Sequence, residues 1–170
     1  ACLFMWKYEY QININAQDLG ADETVPSWHR NDQNGKFDAS LEEIWHVITH
    51  SGYAKAYPGF FGENEQSSIA KAMDVARGGK FKSVPDQYPP NAWYTYSDES
   101  CEYECMVTEY IYWGMTSILG AQKNRSSEIS QEWDLHTKNL VKDKDKLIYS
   151  LLTDPKYKFP KVIPDGSYLR

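Results

Sequence analysis

The chain has 170 residues, 25% charged and 41% hydrophobic, with a net charge of −6. That length fits one domain with a core large enough to fold without metals or disulfides. The acidic balance, with a pI near 5.2, excludes a nucleic-acid or anionic-membrane partner, since both need clustered positive charge. No run approaches the roughly 18 apolar residues of a bilayer span, so membrane insertion is not expected.

Residues 6 to 14 alternate, with Trp6, Tyr8, Tyr10, Ile12 and Ile14 on one side and Lys7, Glu9, Gln11 and Asn13 on the other, which predicts a half-buried strand. Residues 17 to 38 are polar and broken by Gly20, Pro26 and Gly35, a long connection. Its Asp32-Gln33-Asn34-Gly35-Lys36-Phe37-Asp38 stretch resembles part of a calcium-binding EF-hand loop. With Gly35 sixth, however, the end ligands would be Arg30 and Leu41, so a turn is expected rather than a calcium site.

A helix follows. Asp38-Ala39-Ser40 supplies cap candidates, and Ser40 to Glu43 has capping-box spacing. Leu41, Ile44, Trp45 and Ile48 then form the buried stripe, and Gly52 is the stop. In Glu-Glu-Ile-Trp-His-Val-Ile-Thr-His, residues 42 to 50, a regular helix puts His46 and His50 on one face, one turn apart, where two imidazoles can grip a zinc ion. The stretch resembles the active-site helix of zincin-type metallopeptidases, in which two histidines flank three residues. Position 47 is Val where that family has its catalytic Glu, so the base role is assigned to Glu43 or Glu42.

Tyr57-Pro58-Gly59-Phe60-Phe61-Gly62 is an aromatic turn, and residues 66 to 77 are predicted helical, ended by Gly78-Gly79. Residues 80 to 84 and 92 to 96 are candidate strands to pair with the N-terminal one. Residues 99 to 119 form a long helix carrying Met106, Tyr110, Trp113, Ile118 and Leu119, stopped by Gly120. Residues 127 to 153 form a last helix burying Trp133, Leu140, Leu147, Leu151 and Leu152, and Lys142 to Lys146 alternates in sign like a solvated face. The expectation is an α+β fold: one predominantly helical domain over residues 1–170, with a small antiparallel sheet including the N-terminal strand. Residues 155–170 are expected as a Pro-containing tail packed on the surface.

A catalytic zinc takes three protein ligands and keeps a position for water. Glu109 is the expected third ligand, because a carboxylate inside an apolar and aromatic helix needs a partner to offset its burial. His136 competes for that position, and His29 is the weakest candidate. Tyr110, Tyr53 or Tyr112 would donate to the developing oxyanion.

Three cysteines allow one bridge. Cys101 and Cys105 would strain a regular helix if joined, and Cys2 with either is equally open. A cysteine nucleophile is disfavoured by Glu99, Glu102 and Glu104 around the thiols. An N-terminus without Met, the Asn124-Arg125-Ser126 sequon and a possible bridge suggest a secreted or extracytoplasmic setting.

Taken together these features suggest a secreted metal-dependent hydrolase, a zinc peptidase acting on a protein or peptide substrate. Two alternatives compete with it. One is a non-enzymatic binding module that takes a glycan or protein through Trp28, Tyr57, Phe60, Phe61, Trp93 and Tyr94. The other is copper held by the histidines.

Overall fold

The computed structural model describes residues 3–6, 17–20 and 39–163. The strand expected over residues 6 to 14 falls outside these residues apart from Trp6, as do the calcium-like stretch, Trp28 and His29. Two compact units, residues 1–58 and 59–170, are taken in turn.

In the first unit β1 (Leu3–Trp6) pairs in parallel with β2 (Gln17–Gly20), Leu3 opposite Gln17 and Trp6 opposite Gly20. Leu19 on β2 is buried. Helix α1 (Ser40–His46) starts one residue earlier than the sequence implies, with Ala39 rather than Ser40 at the N-cap, so the expected capping box does not form. Gly52 does not stop it. The chain instead widens into a π-helical segment, Val47–Tyr53, and continues as α2 (Ala54–Ala56). Within the wide segment the Thr49 hydroxyl donates to the Trp45 carbonyl at 2.8 Å, one way a side chain joins the ladder of a distorted helix. The buried stripe is shifted as well: Trp45, His46 and Thr49 are buried, whereas Ile44 is 39% exposed.

Helix α3 (Pro58–Phe61) begins at the unit boundary, and the second unit continues as α4 (Ser68–Arg77), α5 (Tyr103–Leu119), α6 (Ser126–Ile129), α7 (Lys138–Lys144) and α8 (Lys146–Thr153). The Ser67 hydroxyl caps α4 by accepting from the Ala70 amide at 3.1 Å. Gly78 and Gly120 end α4 and α5 at φ 73° and 88°, the left-handed conformation that expected helix stops require. Helix α5 is the core. From Met106 to Ser117 every residue is buried, and it packs against α4, α7 and α8.

The α+β expectation and its antiparallel sheet are overturned: the fold is mostly helical, and the only strand pair among the described residues is the short parallel one. Residues 80 to 84 form no strand, and proline at 85, 89 and 90 removes amides that a ladder would need. Of residues 92 to 96, only Tyr94 makes a bridge, to Trp133. The Trp93 amide bonds the Ala76 carbonyl at 3.0 Å, and the Thr95 amide bonds that of Glu132 at 2.8 Å. These backbone groups are satisfied by a helix end and a turn rather than by a sheet.

The single helix expected over residues 127 to 153 is three short ones. Trp133 is held between them by its bridge to Tyr94 and by its indole N–H donating to Ser117 Oγ at 3.0 Å. Thr137 and Asp145 then cap α7 and α8 separately. Each cap resets the helical phase, so Val141, Ile148 and Leu152 point inward while Leu140 and Leu147 are exposed. The chain beyond Pro155 anchors itself by burying Tyr157 and Phe159. Both rings stand edge-on to Phe61, with centroids at 4.8 and 5.1 Å.

Gly114 sits where α5 crosses α8, and an added Cβ there would run into Ile148 Cδ1 and stand 3.3 Å from Leu152 Cδ1. Gly114→Leu is therefore expected to lose about 1–3 kcal/mol through overpacking, despite leucine's better helix propensity. A urea unfolding midpoint measures it, and an unchanged midpoint would mean that the α5–α8 contact is looser than described.

Candidate metal centre

Helix α1 supplies an imidazole and two carboxylates within one turn and a half. Glu42 and His46 are four residues apart and stack along regular α geometry. Glu43 Oε2 stands 3.6 Å from His46 Nδ1, with His46 buried and Glu43 largely so. After His46 the helix widens, with ring closure from i to i+5.

On α5, Glu109 is only 6% exposed, as an ionisable residue among Val107, Thr108, Tyr110 and Ile111 would be. Glu42 and His46 in the first unit and Glu109 in the second each offer a ligand atom of a kind that could hold a metal ion. Two of the three expected ligands, His46 and Glu109, are among these residues. The third member is Glu42, which the sequence had suggested as a base, and His50 is not in the group.

Negative charge around Glu109 is visible in its neighbours. Glu132, in the turn after α6, has its carboxyl raised above the ordinary range by burial, then by Glu109 and Asp98. Tyr94 is held well above the usual tyrosine value, first by complete burial and then by Glu109. Its hydroxyl donates to the Met106 carbonyl at 2.8 Å. Glu132 had no signal in the sequence beyond its charge, because its partner lies 23 residues earlier on another element.

The tyrosines considered as oxyanion donors are placed differently. Tyr110 is fully buried, and its hydroxyl donates to Asp145 Oδ2 at 2.6 Å. Burial, then Asp145, pushes it far up. Tyr112 accepts from Gln122 Nε2 at 3.4 Å. Tyr53 lies beside Tyr57, with ring centroids 6.3 Å apart, and is raised by burial and by that neighbour. His136 has Nδ1 3.3 Å from the Asp134 carbonyl and is not in the metal group.

Cys101 and Cys105 form a disulfide, with Cα atoms 5.3 Å apart. The strain expected on a regular helix does not arise, because α5 begins at Tyr103 and Cys101 precedes it. The bridge removes both thiols from nucleophilic chemistry. Phe61 and Tyr94, expected on an aromatic binding surface, are completely buried. No helix among the described residues is long and apolar enough to cross a membrane. No family model, curated protein or solved structure matches the chain.

Proposed function

We propose that the protein binds zinc through Glu42, His46 and Glu109 and uses it to activate water for amide hydrolysis, with a protein or peptide as substrate. The observation that carries this reading is the donor set of α1, where buried His46 has Glu42 one helical turn before it and Glu43 Oε2 3.6 Å from its Nδ1, together with the buried carboxylate of Glu109 on the apolar α5. Zinc accepts both donor types, and three protein ligands leave a fourth position for water. Copper, argued from a pair of imidazoles, has only one in this group.

Glu43 acts here as a positioning residue. A carboxylate facing Nδ1 fixes the tautomer and orientation of a ligating histidine and leaves Nε2 for the metal. Zinc held by these residues would supply Lewis-acid polarisation and a bound water acidic enough to act near neutral pH, so that no separate strong base would be needed.

Zinc content and proteolysis test the reading together. Wild-type protein dialysed against zinc is expected to retain one ion per chain and to cleave casein in a chelator-sensitive way. His46→Ala and Glu109→Gln should lose both properties. Glu43→Gln should still load zinc at saturation, but with affinity about 10–100-fold lower. A folded wild-type protein that retains no zinc would overturn the proposal, and zinc without cleavage would overturn its hydrolytic half.

A further inference from the structure

At the far end of α5, ten residues and about 15 Å of helix beyond Glu109, the second unit has an open cavity of about 750 Å³. Its apolar lining comes from Met115, Ile118 and Leu119 on α5, Leu152 on α8, and Phe159 with Pro160 from the C-terminal segment. The charged residues on the lining are Lys138, Lys158 and Lys161 against one carboxylate, Asp154, on a chain whose net charge is −6. Helices α5 and α8 both end at this cavity, and their carbonyl ends bring about half a negative charge each. A cationic excess remains after those are set against the lysines.

Lys158 adds a second, independent observation. It is the only non-glycine residue with positive φ among the described residues, at 55°. A left-handed lysine is disfavoured by sterics and persists only where its surroundings hold it. Here the flanking Tyr157 and Phe159 are both buried as anchors while Lys158 lines the cavity. Glycine or asparagine would take that backbone more readily, so the lysine side chain is kept at a backbone cost.

We propose that this cavity binds a small amphipathic anion, an unbranched aliphatic carboxylate, with its chain on the apolar lining and its head group at Lys158 and Lys161. The volume lies within the range of about 300–1,000 Å³ usual for small-molecule sites, which combine apolar walls with a few polar groups that orient the ligand. A neutral ligand would leave the lysines without a role, and an inorganic anion would leave the apolar walls wet. The site is separate from the proposed zinc ligands and does not depend on them.

Titration calorimetry with octanoate, decanoate and dodecanoate below their micellar concentrations tests this on the full chain. Saturable one-site binding is expected, tightening about fourfold per added methylene until the cavity is filled. Dodecanol should bind more weakly than dodecanoate. Lys158→Gln with Lys161→Gln should weaken dodecanoate about three- to tenfold, leave dodecanol unchanged and flatten the salt dependence. Ile118→Trp, at a half-buried lining position, should block both ligands while leaving the unfolding midpoint near wild type. If Ile118→Trp unfolds the chain, the lysine pair and the chain-length series decide the matter alone. Absence of saturable binding, equal affinity for acid and alcohol, or no dependence on chain length would each overturn the proposal.

Discussion

Asp145→Ala is expected to lower folding stability by about 3–5 kcal/mol, while Asp145→Asn loses only about 1 kcal/mol. One carboxylate, 2% exposed, serves three donors. Oδ2 accepts from the Trp93 indole at 2.8 Å and from the Tyr110 hydroxyl at 2.6 Å, and Oδ1 accepts from the Ile148 amide at 3.1 Å as the cap of α8. Alanine removes the cap and leaves two donors without an acceptor, and each orphaned donor costs about 1–3 kcal/mol. Asparagine keeps an oxygen for the cap or for the ring donors, and its own amide adds a donor to a site that needs acceptors. Urea unfolding followed by tryptophan fluorescence measures both variants. Near-equal midpoints for alanine and wild type would mean that water replaces the carboxylate.

The same residue gives a pH dependence with a definite sign. Burial raises the Asp145 carboxyl, only partly opposed by the hydrogen bonds from Tyr110, Trp93 and backbone amides. A folded-state value above the unfolded one means that the native state holds the proton more tightly. The stabilisation this brings is complete below the unfolded value and is lost as pH rises through the raised folded value. The stability difference between wild type and Asp145→Asn should therefore shrink as pH rises across that window. A difference that grows would mean that hydrogen bonding outweighs desolvation.

Asp145 also shows where a sequence reading stops. It sits in an alternating Lys/Asp run that reads as a solvated face, and four of those five residues are indeed exposed. What buries the fifth is Trp93, 52 residues earlier. The helix stops at Gly78 and Gly120 were legible because each depends on one residue's backbone freedom. The break at Asp145 depends on a tertiary acceptor, so apolar periodicity carried straight through it. The metal group divides in the same way. Glu109 was legible as a carboxylate within an apolar helix. The widening of the helix after His46 was not legible, because a local change of ring closure leaves no mark in apolar periodicity.

Arg77→Ala is expected to lose a further-ranging set of contacts, about 3–5 kcal/mol in all. An arginine in the last turn of a helix ordinarily reaches solvent, yet Arg77 is completely buried. Its Nη2 donates to Asp74 Oδ1 at 3.0 Å, one turn back on α4, and Nη1 donates to Met106 Sδ at 3.1 Å on α5. The guanidinium also lies over the rings of Tyr103 and Phe81, at 5.2 and 5.8 Å. The Tyr103 hydroxyl donates to the same Asp74 oxygen at 3.0 Å, and burial, then Asp74, drives that phenol strongly upward. The arrangement is not fully satisfied, since Arg77 Nε and Asp74 Oδ2 have no hydrogen-bond partner. Removing the arginine alone strands the Asp74 carboxylate with one hydroxyl in a site 7% exposed. Removing both charges relieves two desolvation penalties at once, so Arg77→Met combined with Asp74→Leu should fall within about 1 kcal/mol of wild type or exceed it. The pair therefore predicts non-additivity: two damaging single changes and a mild double one. Urea midpoints for the full cycle check it. If the double variant is as unstable as the sum of its parts, the guanidinium contributes through its packing on Tyr103 and Phe81 rather than through its charge.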